Sequence, residues 1–452
     1  MKRGVMTTVT VERLAPDGSG IAHSGDVEFV IPGALPGDEL DVQIRRIKNG
    51  SALCRIDTVR SHGVLRIDPL CPHFTVCGGC KWQDVPYAVQ CELKAAMIHE
   101  ALAGFGGREV YPDAAVVASP DEYYYRNKME FSFDAPPRLE GRVFAGLHEA
   151  GKFNRVFDVT GCRLQLPASN AILETLREII ARVGLTAYGL KSHKGLLRYC
   201  VVRDGKHTGD VMVNIVTSGD DFPAAGECVD ALRNAVPELT TVLRTINRSR
   251  SAVATGEERK VLWGGGTITD RIGRREFVIS PESFFQTNTR QAEKLYDTIG
   301  EFAGLTGTER VLDLYCGAGT IGLYLAENAG AVIGIELVGN AVRDARVNAE
   351  KNGVGNAEFY EGKVEDALDD SLGCFDVVIC DPPRPGLHPK AFAPLLALKA
   401  PRIVYVSCNS KVLPCDLSSL IAGGYEIERV RAFDMSPHTP HVETVVALSR
   451  CK

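Results

Sequence analysis

Hydrophobic and polar positions fall into three successive patterns along the chain. Residues 7–60 contain the short segments TTVTVERL, IAHSG, VEFVIPG, ELDVQIRRI and ALCRIDTV, with partial alternation seen at Leu40, Val42 and Ile44. Turn residues separate them: Pro16-Asp17-Gly18, Ser24-Gly25-Asp26, Pro36-Gly37-Asp38 and Asn49-Gly50. Five short strands at this spacing predict a small β-barrel of the OB type. A Cys-rich loop, CPHFTVCGGC at 71–80, precedes a helical stretch from about Tyr87 to Phe105. Residues 106–275 mix strand-like segments (KMEFSF, LLRYCVVR, DVMVNIV) with the helix-like ASNAILETLREIIARVG, which predicts an α+β region. From about Phe277 the strands ERVLDLY, GAVIGIEL, FDVVICDPP, RIVYVSC and ETVVALSR alternate with helices such as NAVRDARVNAEKNG. That alternation predicts a doubly wound, Rossmann-like α/β layout with a mostly parallel sheet. The expected division is 1–62, 63–275 and 276–452.

Composition adds little to this picture, whereas charge and cysteines change it. The 452 residues are 45% hydrophobic and 24% charged, which suits a folded globular chain. No apolar run approaches the ~18 residues that cross a bilayer, and the MKRGVMTTVTVERL start lacks an apolar signal core. A soluble, cytoplasmic protein without a membrane partner is expected. The net charge of −6 argues mildly against a polyanionic partner. Locally the sign reverses: Arg45, Arg46, Lys48, Arg55 and Arg60 face the single acid Asp57, and eight basic residues lie between Arg244 and Arg275. Such stretches allow nucleic acid to bind at chosen surfaces, though a charge run alone is usually just a solvated face. Fourteen cysteines in a reducing compartment raise the question of ligands, nucleophiles and buried filler.

Candidate chemistry concentrates in the C-terminal third. After strand VLDLY, the turn Cys316-Gly317-Ala318-Gly319-Thr320 opens a helix, and Glu336 ends the next strand at ribose-binding spacing. The last glycine of GAGTIG, Gly322, already lies inside the helix, and a short GxG turn suffices for S-adenosylmethionine, which carries no diphosphate. A later strand ends in Asp381-Pro382-Pro383 at the sheet edge where substrates sit. Cys408 ends strand RIVYVSC, and Pro437-His438-Thr439-Pro440-His441-Val442-Glu443 leads into the last strand. A thiol and a carboxylate converging on a cofactor edge fit methylation of a carbon that is not itself nucleophilic. C5 of uracil is such a carbon: a thiolate adding to C6 makes C5 enolate-like, and a base later removes the C5 proton. Cys71, Cys77 and Cys80 need a fourth ligand. Zinc takes four cysteines or three with a histidine such as His73, and a 4Fe–4S cluster takes four cysteines, so spacing leaves both open.

The segments SFFQTN (283–288), DLYCGAGT (313–320), DPPRPG (381–386), SCN (407–409) and PHTPHVET (437–444) together resemble the RNA uracil-5 methyltransferases, in the family's order. The resemblance implies that Cys408 is the nucleophile and Glu443 the proton acceptor, with Gln286, Tyr315, Glu336 and Asp381 at cofactor-binding positions. It implies a 4Fe–4S cluster on Cys71, Cys77, Cys80 and Cys162, as in one branch of the family, with a structural or RNA-docking role. Asp17-Gly18-Ser19-Gly20-Ile21-Ala22 and IPGALPGDEL resemble the TRAM domain, and Tyr125-Arg126-Asn127-Lys128 resembles a segment that starts the RNA-contacting domain. Branch members with both TRAM and the cluster act mostly on large-subunit ribosomal RNA, so that RNA is the expected partner, with the transfer RNA T-loop as alternative. The expected product is 5-methyluridine. A non-catalytic RNA-binding iron–sulfur protein is the rival of another class. One departure is that Ser410 follows SCN where the family commonly has proline. No obligatory protein partner is implied. The remaining cysteines (Cys54, Cys91, Cys200, Cys228, Cys374, Cys380, Cys415, Cys451) are expected to be buried filler.

Overall fold

A computed structural model describes all residues except 1, 108–110, 112–114, 137–141, 220, 369–371 and 452. Strands β1 (Met6–Thr10), β2 (Arg13–Leu14), β3 (Gly20–Ser24), β4 (Val27–Ile31), β5 (Glu39–Lys48) and β6 (Ser51–Ser61) form one sheet in the order β1-β5-β6-β4-β3-β2. The first predicted strand is two, because the Val11 and Glu12 amides turn to the carbonyls of Asp38 and Ile21. Alternation on β5 buries Leu40, Val42 and Ile44 completely with Phe29 and Ile31, each contributing roughly 1.5–3 kcal/mol. A second apolar cluster of Leu14, Leu35, Trp82, Val85, Leu93 and Met97 joins this sheet to helix α1 (Tyr87–Ala101).

After α1, β7 (Val116–Val117) pairs with the C-terminal sheet rather than with its sequence neighbours. The middle of the chain forms a seven-stranded sheet: β8 (Lys128–Asp134), β9 (Phe144–Glu149), β10 (Lys152–Asp158), β11 (Leu197–Asp204), β12 (Val211–Thr217), β13 (Leu239–Ile246) and β14 (Glu258–Gly264). Helix α2 (Ala168–Val183) lies in the β10–β11 connection, burying Ile172, Leu173, Leu176, Ile179 and Ile180 at helical spacing and ending at left-handed Gly184. Helix α3 (Ala225–Ala235) makes the crossover between the parallel pair β12 and β13. The hairpin β15 (Ile268–Ile272) and β16 (Arg275–Ile279) follows, then α4 (Thr289–Ala303), whose first turn is capped by Asn288 accepting from the Gln291 amide.

The last sheet contains β17 (Arg310–Leu314), β18 (Ala331–Glu336), β19 (Ala357–Glu361), β20 (Val377–Cys380), β21 (Arg402–Ser407), β22 (Tyr425–Phe433) and β23 (Glu443–Arg450). Its order is β19-β18-β17-β20-β21-β23-β22-β7, with β17 to β21 parallel and β23 antiparallel between β21 and β22. Between and beside these strands run α5 (Thr320–Leu325), α6 (Gly339–Lys351), α7 (Val364–Ala367), α8 (Phe392–Ala397) and α9 (Leu413–Ala422). The strand order reverses between β17 and β20, so the crevice at their carboxyl ends is where a ligand binds in such sheets.

Candidate active site

Each candidate cofactor residue sits at that crevice. Tyr315 follows β17 in a left-handed conformation (φ 62°), a geometry a bulky residue adopts only when its surroundings impose it. Its hydroxyl is buried without a normally formed hydrogen bond among the described residues, and burial pushes it up to about 12. Gly319 requires its missing side chain, since φ is 76° and a Cβ would lie 2.8 Å from the Phe359 ring. Gly322 lets α5 close on β17 and β18, its amide donating to buried Asp313 Oδ2 at 2.9 Å. Glu336, at the tip of β18, accepts from the amides of Gly317 (3.1 Å) and Val338 (2.8 Å). A buried hydroxyl without a partner, a Gly turn at a strand end and a strand-end carboxylate suit an S-adenosylmethionine donor. Asp313 was not singled out by the sequence reading; burial raises its carboxyl to about 8.

The substrate side is built from loops that meet over long sequence distances. Gln286 Nε2 donates to Asp381 Oδ2 at 3.3 Å. Asn127 fixes that loop: its amide bonds the Thr287 carbonyl, and Nδ2 bonds the Gln286 carbonyl (2.7 Å) and Thr289 Oγ1 (2.9 Å). Cys408, just past β21, is half-buried, and Glu443 at the start of β23 is 8% exposed. Burial, helped by the Glu443 and Asp381 carboxylates, pushes the Cys408 thiol up to about 12, with Arg384 opposing. Burial likewise raises both Asp381 and Glu443; at Glu443 the Asp381 carboxyl adds to this and Arg384 partly offsets it.

Arg384, inside DPPRPG, is a site residue that sequence reasoning passed over. Its guanidinium meets His441 Nδ1 at 2.9 Å, and its carbonyl accepts from Asn409 Nδ2 at 3.0 Å. Burial and Arg384 hold the His441 ring below its ordinary value although one edge reaches solvent. The two histidines of PHTPHVE do not converge on a metal. His438 (φ 66°) takes the Gln90 side chain, stacks on Tyr123, and accepts at its carbonyl from the Lys81 and Trp82 amides. Burial drops its ring to about 4. The turn that aims Glu443 is thus tied to α1 and to the end of the Cys-rich loop.

Cys71, Cys77, Cys80 and Cys162 line one cavity of about 580 Å³, which extends to Phe284, Phe285 and Thr287. Among the described residues, no three His, Cys, Asp or Glu side chains are arranged to hold a metal ion. His73 Nε2 accepts from the Thr160 amide at 3.1 Å, which commits that nitrogen. Burial raises Cys77, Cys80 (to about 12) and Cys162, and neighbouring thiols of the set add to it. Of the other cysteines, Cys54, Cys200, Cys228 and Cys380 are buried as expected, but Cys374, Cys415 and Cys451 are exposed. The exposed three lie in loops or on the outer face of α9, where no core needs filling.

The two basic stretches differ. Arg45, Arg46, Lys48 and Arg55 are exposed on β5 and β6. In the second stretch Arg244 is buried, donating to Thr217 Oγ1 and stacking on Phe222. Arg248, Arg259 and Arg274 pair with Glu258, Glu282 and Glu327, so this stretch is largely a neutralised surface. Among the described residues, no helix is long and apolar enough to cross a membrane.

The family model described as tRNA (uracil-5-)-methyltransferase matches residues 227–451, and the TRAM domain model matches residues 2–56. An uncharacterised RNA methyltransferase of Chlorobaculum tepidum is 38% identical over 96% of this chain and 92% of its own. One from Clostridium tetani is 37% identical over 100% and 99%. Among solved structures, the Pyrococcus abyssi tRNA (uracil-54, C5)-methyltransferase in complex with S-adenosyl-L-homocysteine superposes with TM-score 0.78 at 33% identity, covering 98% of this chain and 99% of that one.

Proposed function

The chain therefore belongs to the tRNA (uracil-5-)-methyltransferase family, carrying an N-terminal TRAM domain, and from that premise we propose that it converts uridine to 5-methyluridine in large-subunit ribosomal RNA. The observation that supports the uridine chemistry is that Cys408 and Glu443 flank the paired Ser407 and Thr444 at the ends of β21 and β23, with Asp381 just past the neighbouring β20 at the crevice. S-adenosylmethionine, when bound, supplies the methyl group. The Cys408 thiol releases its proton to solvent, its sulfur adds to C6 of the flipped uracil, and C5 gains the nucleophilicity to take the methyl. Glu443, as the carboxylate, then accepts the C5 proton, the sulfur–C6 bond breaks, and the departing thiolate takes up a proton from solvent to restore the thiol. Gln286, held by Asn127, and Asp381 orient the base. Tyr315 and Glu336 hold the donor. The exposed arginines of β5 and β6 meet phosphates.

The four cysteines line one cavity without being drawn together around an ion, and on closing together they would hold a 4Fe–4S cluster; the nearby His73 has its Nε2 engaged by the Thr160 amide. Such a cluster would fix the loop that grips His438, and the methylation needs no electron transfer. A second RNA is favoured by one observation, since the Pyrococcus relative that acts on transfer RNA matches nearly the whole chain.

The test supplies anaerobically purified protein with methyl-labelled S-adenosylmethionine and, separately, unmodified large-subunit ribosomal RNA and unmodified transfer RNA. Label recovered as 5-methyluridine in ribosomal RNA alone confirms the proposal. Label in transfer RNA keeps the chemistry and replaces the substrate. No label in either returns the chain to a non-catalytic RNA-binding role. Cys408→Ala should abolish turnover and leave RNA binding intact; retained methylation would sink the mechanism.

A further inference from the structure

Ser410, the residue that departs from the family pattern, has a specific partner. Its side chain is 5% exposed and Oγ donates to the Pro16 carbonyl at 2.6 Å, across 394 residues of sequence. Pro16 belongs to the tight turn between β2 and β3. That turn is closed by Ala15 N to Ser19 O (2.7 Å), Gly18 N to Ala15 O (2.9 Å) and Ser19 N to Asp17 Oδ1 (2.9 Å). The same turn touches a second loop. Gly18 has φ +79°, and a Cβ there would stand 2.3 Å from Cβ of Pro440. Ser410 lies two residues after Cys408 and Pro440 three before Glu443, so one turn of the barrel rests on both loops.

The turn is itself held firmly. Leu14 and Leu35 share an apolar cluster with Trp82, Val85, Leu93 and Met97, and Arg13 pairs with Glu100 of α1 at 3.1 Å. A proline at 410 would offer no hydroxyl, so this bond belongs to this chain rather than to the motif. Loops that carry reacting groups gain rate from being held, since displacements near 1 Å can cost about 100-fold.

We propose that the Ala15–Ser19 turn of the barrel is a working part of the catalytic centre: through the positioning residues Ser410 and Gly18 it fixes the loops of Cys408 and Glu443, setting the methylation rate rather than RNA affinity. This rests on the reading of Cys408 as nucleophile and Glu443 as base.

The test compares full-length wild type with Ser410→Ala and Gly18→Ala in steady-state methylation and in adduct formation with RNA carrying 5-fluorouridine at the target. Fluorine leaves no C5 proton to remove, so the sulfur–C6 bond persists and the adduct reports nucleophile placement on a denaturing gel. For Ser410→Ala, kcat and the adduct rate should fall roughly five- to ten-fold, the loss of one buried hydrogen bond of about 1–1.4 kcal/mol. KM for RNA should stay within about two-fold. Gly18→Ala, which forces the turn off Pro440, should lower kcat further with the same unchanged KM. If Gly18→Ala fails to fold, Ser410→Ala decides alone. An unchanged kcat in Ser410→Ala, or a loss confined to KM, overturns the proposal. Absence of any adduct with wild type overturns the Cys408 reading itself, and this inference with it.

Discussion

Replacing Lys94 by methionine should cost the fold about 3–5 kcal/mol. Lys94 on α1 and Asp434, just past β22, are both fully buried, with Nζ 2.6 Å from Oδ1 and 3.2 Å from the Ser436 carbonyl. Among the described residues, removing the ammonium leaves the carboxylate with the Ser436 amide (2.9 Å), and Oδ2 has no hydrogen-bond partner. For a cooperative unit of about 150–250 residues, that loss lowers the thermal midpoint by roughly 6–20 °C. Lys94→Met with Asp434→Leu should recover part of it, because only the two Ser436 contacts, at its carbonyl and its amide and of about 1 kcal/mol each, stay broken. The pair also predicts a pH signature. Burial already holds Lys94 below its ordinary 10.5, and Asp434 is the group that raises it. In Asp434→Asn the folded value falls further. Between that value and 10.5 the unfolded chain binds more protons than the folded one, so stability rises with pH. The deficit of Asp434→Asn relative to wild type should therefore shrink as pH rises toward 10.5. Melting curves of the two single variants, the double variant and wild type decide the matter. Single costs that simply add, or a deficit independent of pH, would refute the account.

Glu443→Gln should permit sulfur addition and methyl transfer but slow proton removal, trapping a covalent protein–RNA adduct; release at the normal rate would assign the base elsewhere. Tyr315→Phe removes a buried hydroxyl that makes no normally formed hydrogen bond among the described residues, so the free protein should melt no lower, while S-adenosylmethionine affinity in calorimetry falls about five- to ten-fold. Unchanged affinity would remove Tyr315 from the cofactor site. Asp313 is raised from 3.8 to about 8 by burial, so between those values the folded state holds the extra proton and stability falls as pH rises. Asp313→Asn should therefore gain on wild type between about pH 4 and pH 8, by up to several kcal/mol; a pH-independent difference in melting temperature would contradict this.

The catalytic sheet was largely legible because its signals are local: a strand, a Gly turn and a helix start within ten residues of one another. The ends of β17, β18, β20 and β21 fall where apolar runs stop, and each candidate residue stands at such an end. Strands β19 and β22 and helix α4 were not singled out, although α4 is capped and amphipathic. Two-residue β7 carries no readable period. The contacts that shape the site were illegible for another reason. Lys94 and Asp434 are 340 residues apart, Gln90 and His438 348, and Ser410 and Pro16 394. Single polar residues at that separation leave no pattern in one sequence. Arg384 was missed although its motif was quoted, because only the fold brings it to His441 and beside Cys408 and Glu443.

The charges around Cys408 show why the site depends on its substrate. A thiol pushed up to about 12 stays protonated at pH 7. Burial is the first cause, and ionised carboxylates beside it add to the cost. Those carboxyls are themselves raised, Asp381 by burial and Glu443 by burial and by Asp381, and His438 is held neutral. Arg384 is the neighbour that favours the ionised forms of both Cys408 and Glu443. Burial and these neighbours keep the Cys408 thiol protonated, and a protonated thiol resists oxidation and alkylation. In the proposed reaction, addition to C6 is then coupled to contacts that the base itself brings, since burial and the neighbouring carboxyls disfavour the thiolate. Rate in such a site depends on placement more than on nucleophile strength, and placement is what the long-range contacts of Ser410, His438 and Lys94 supply.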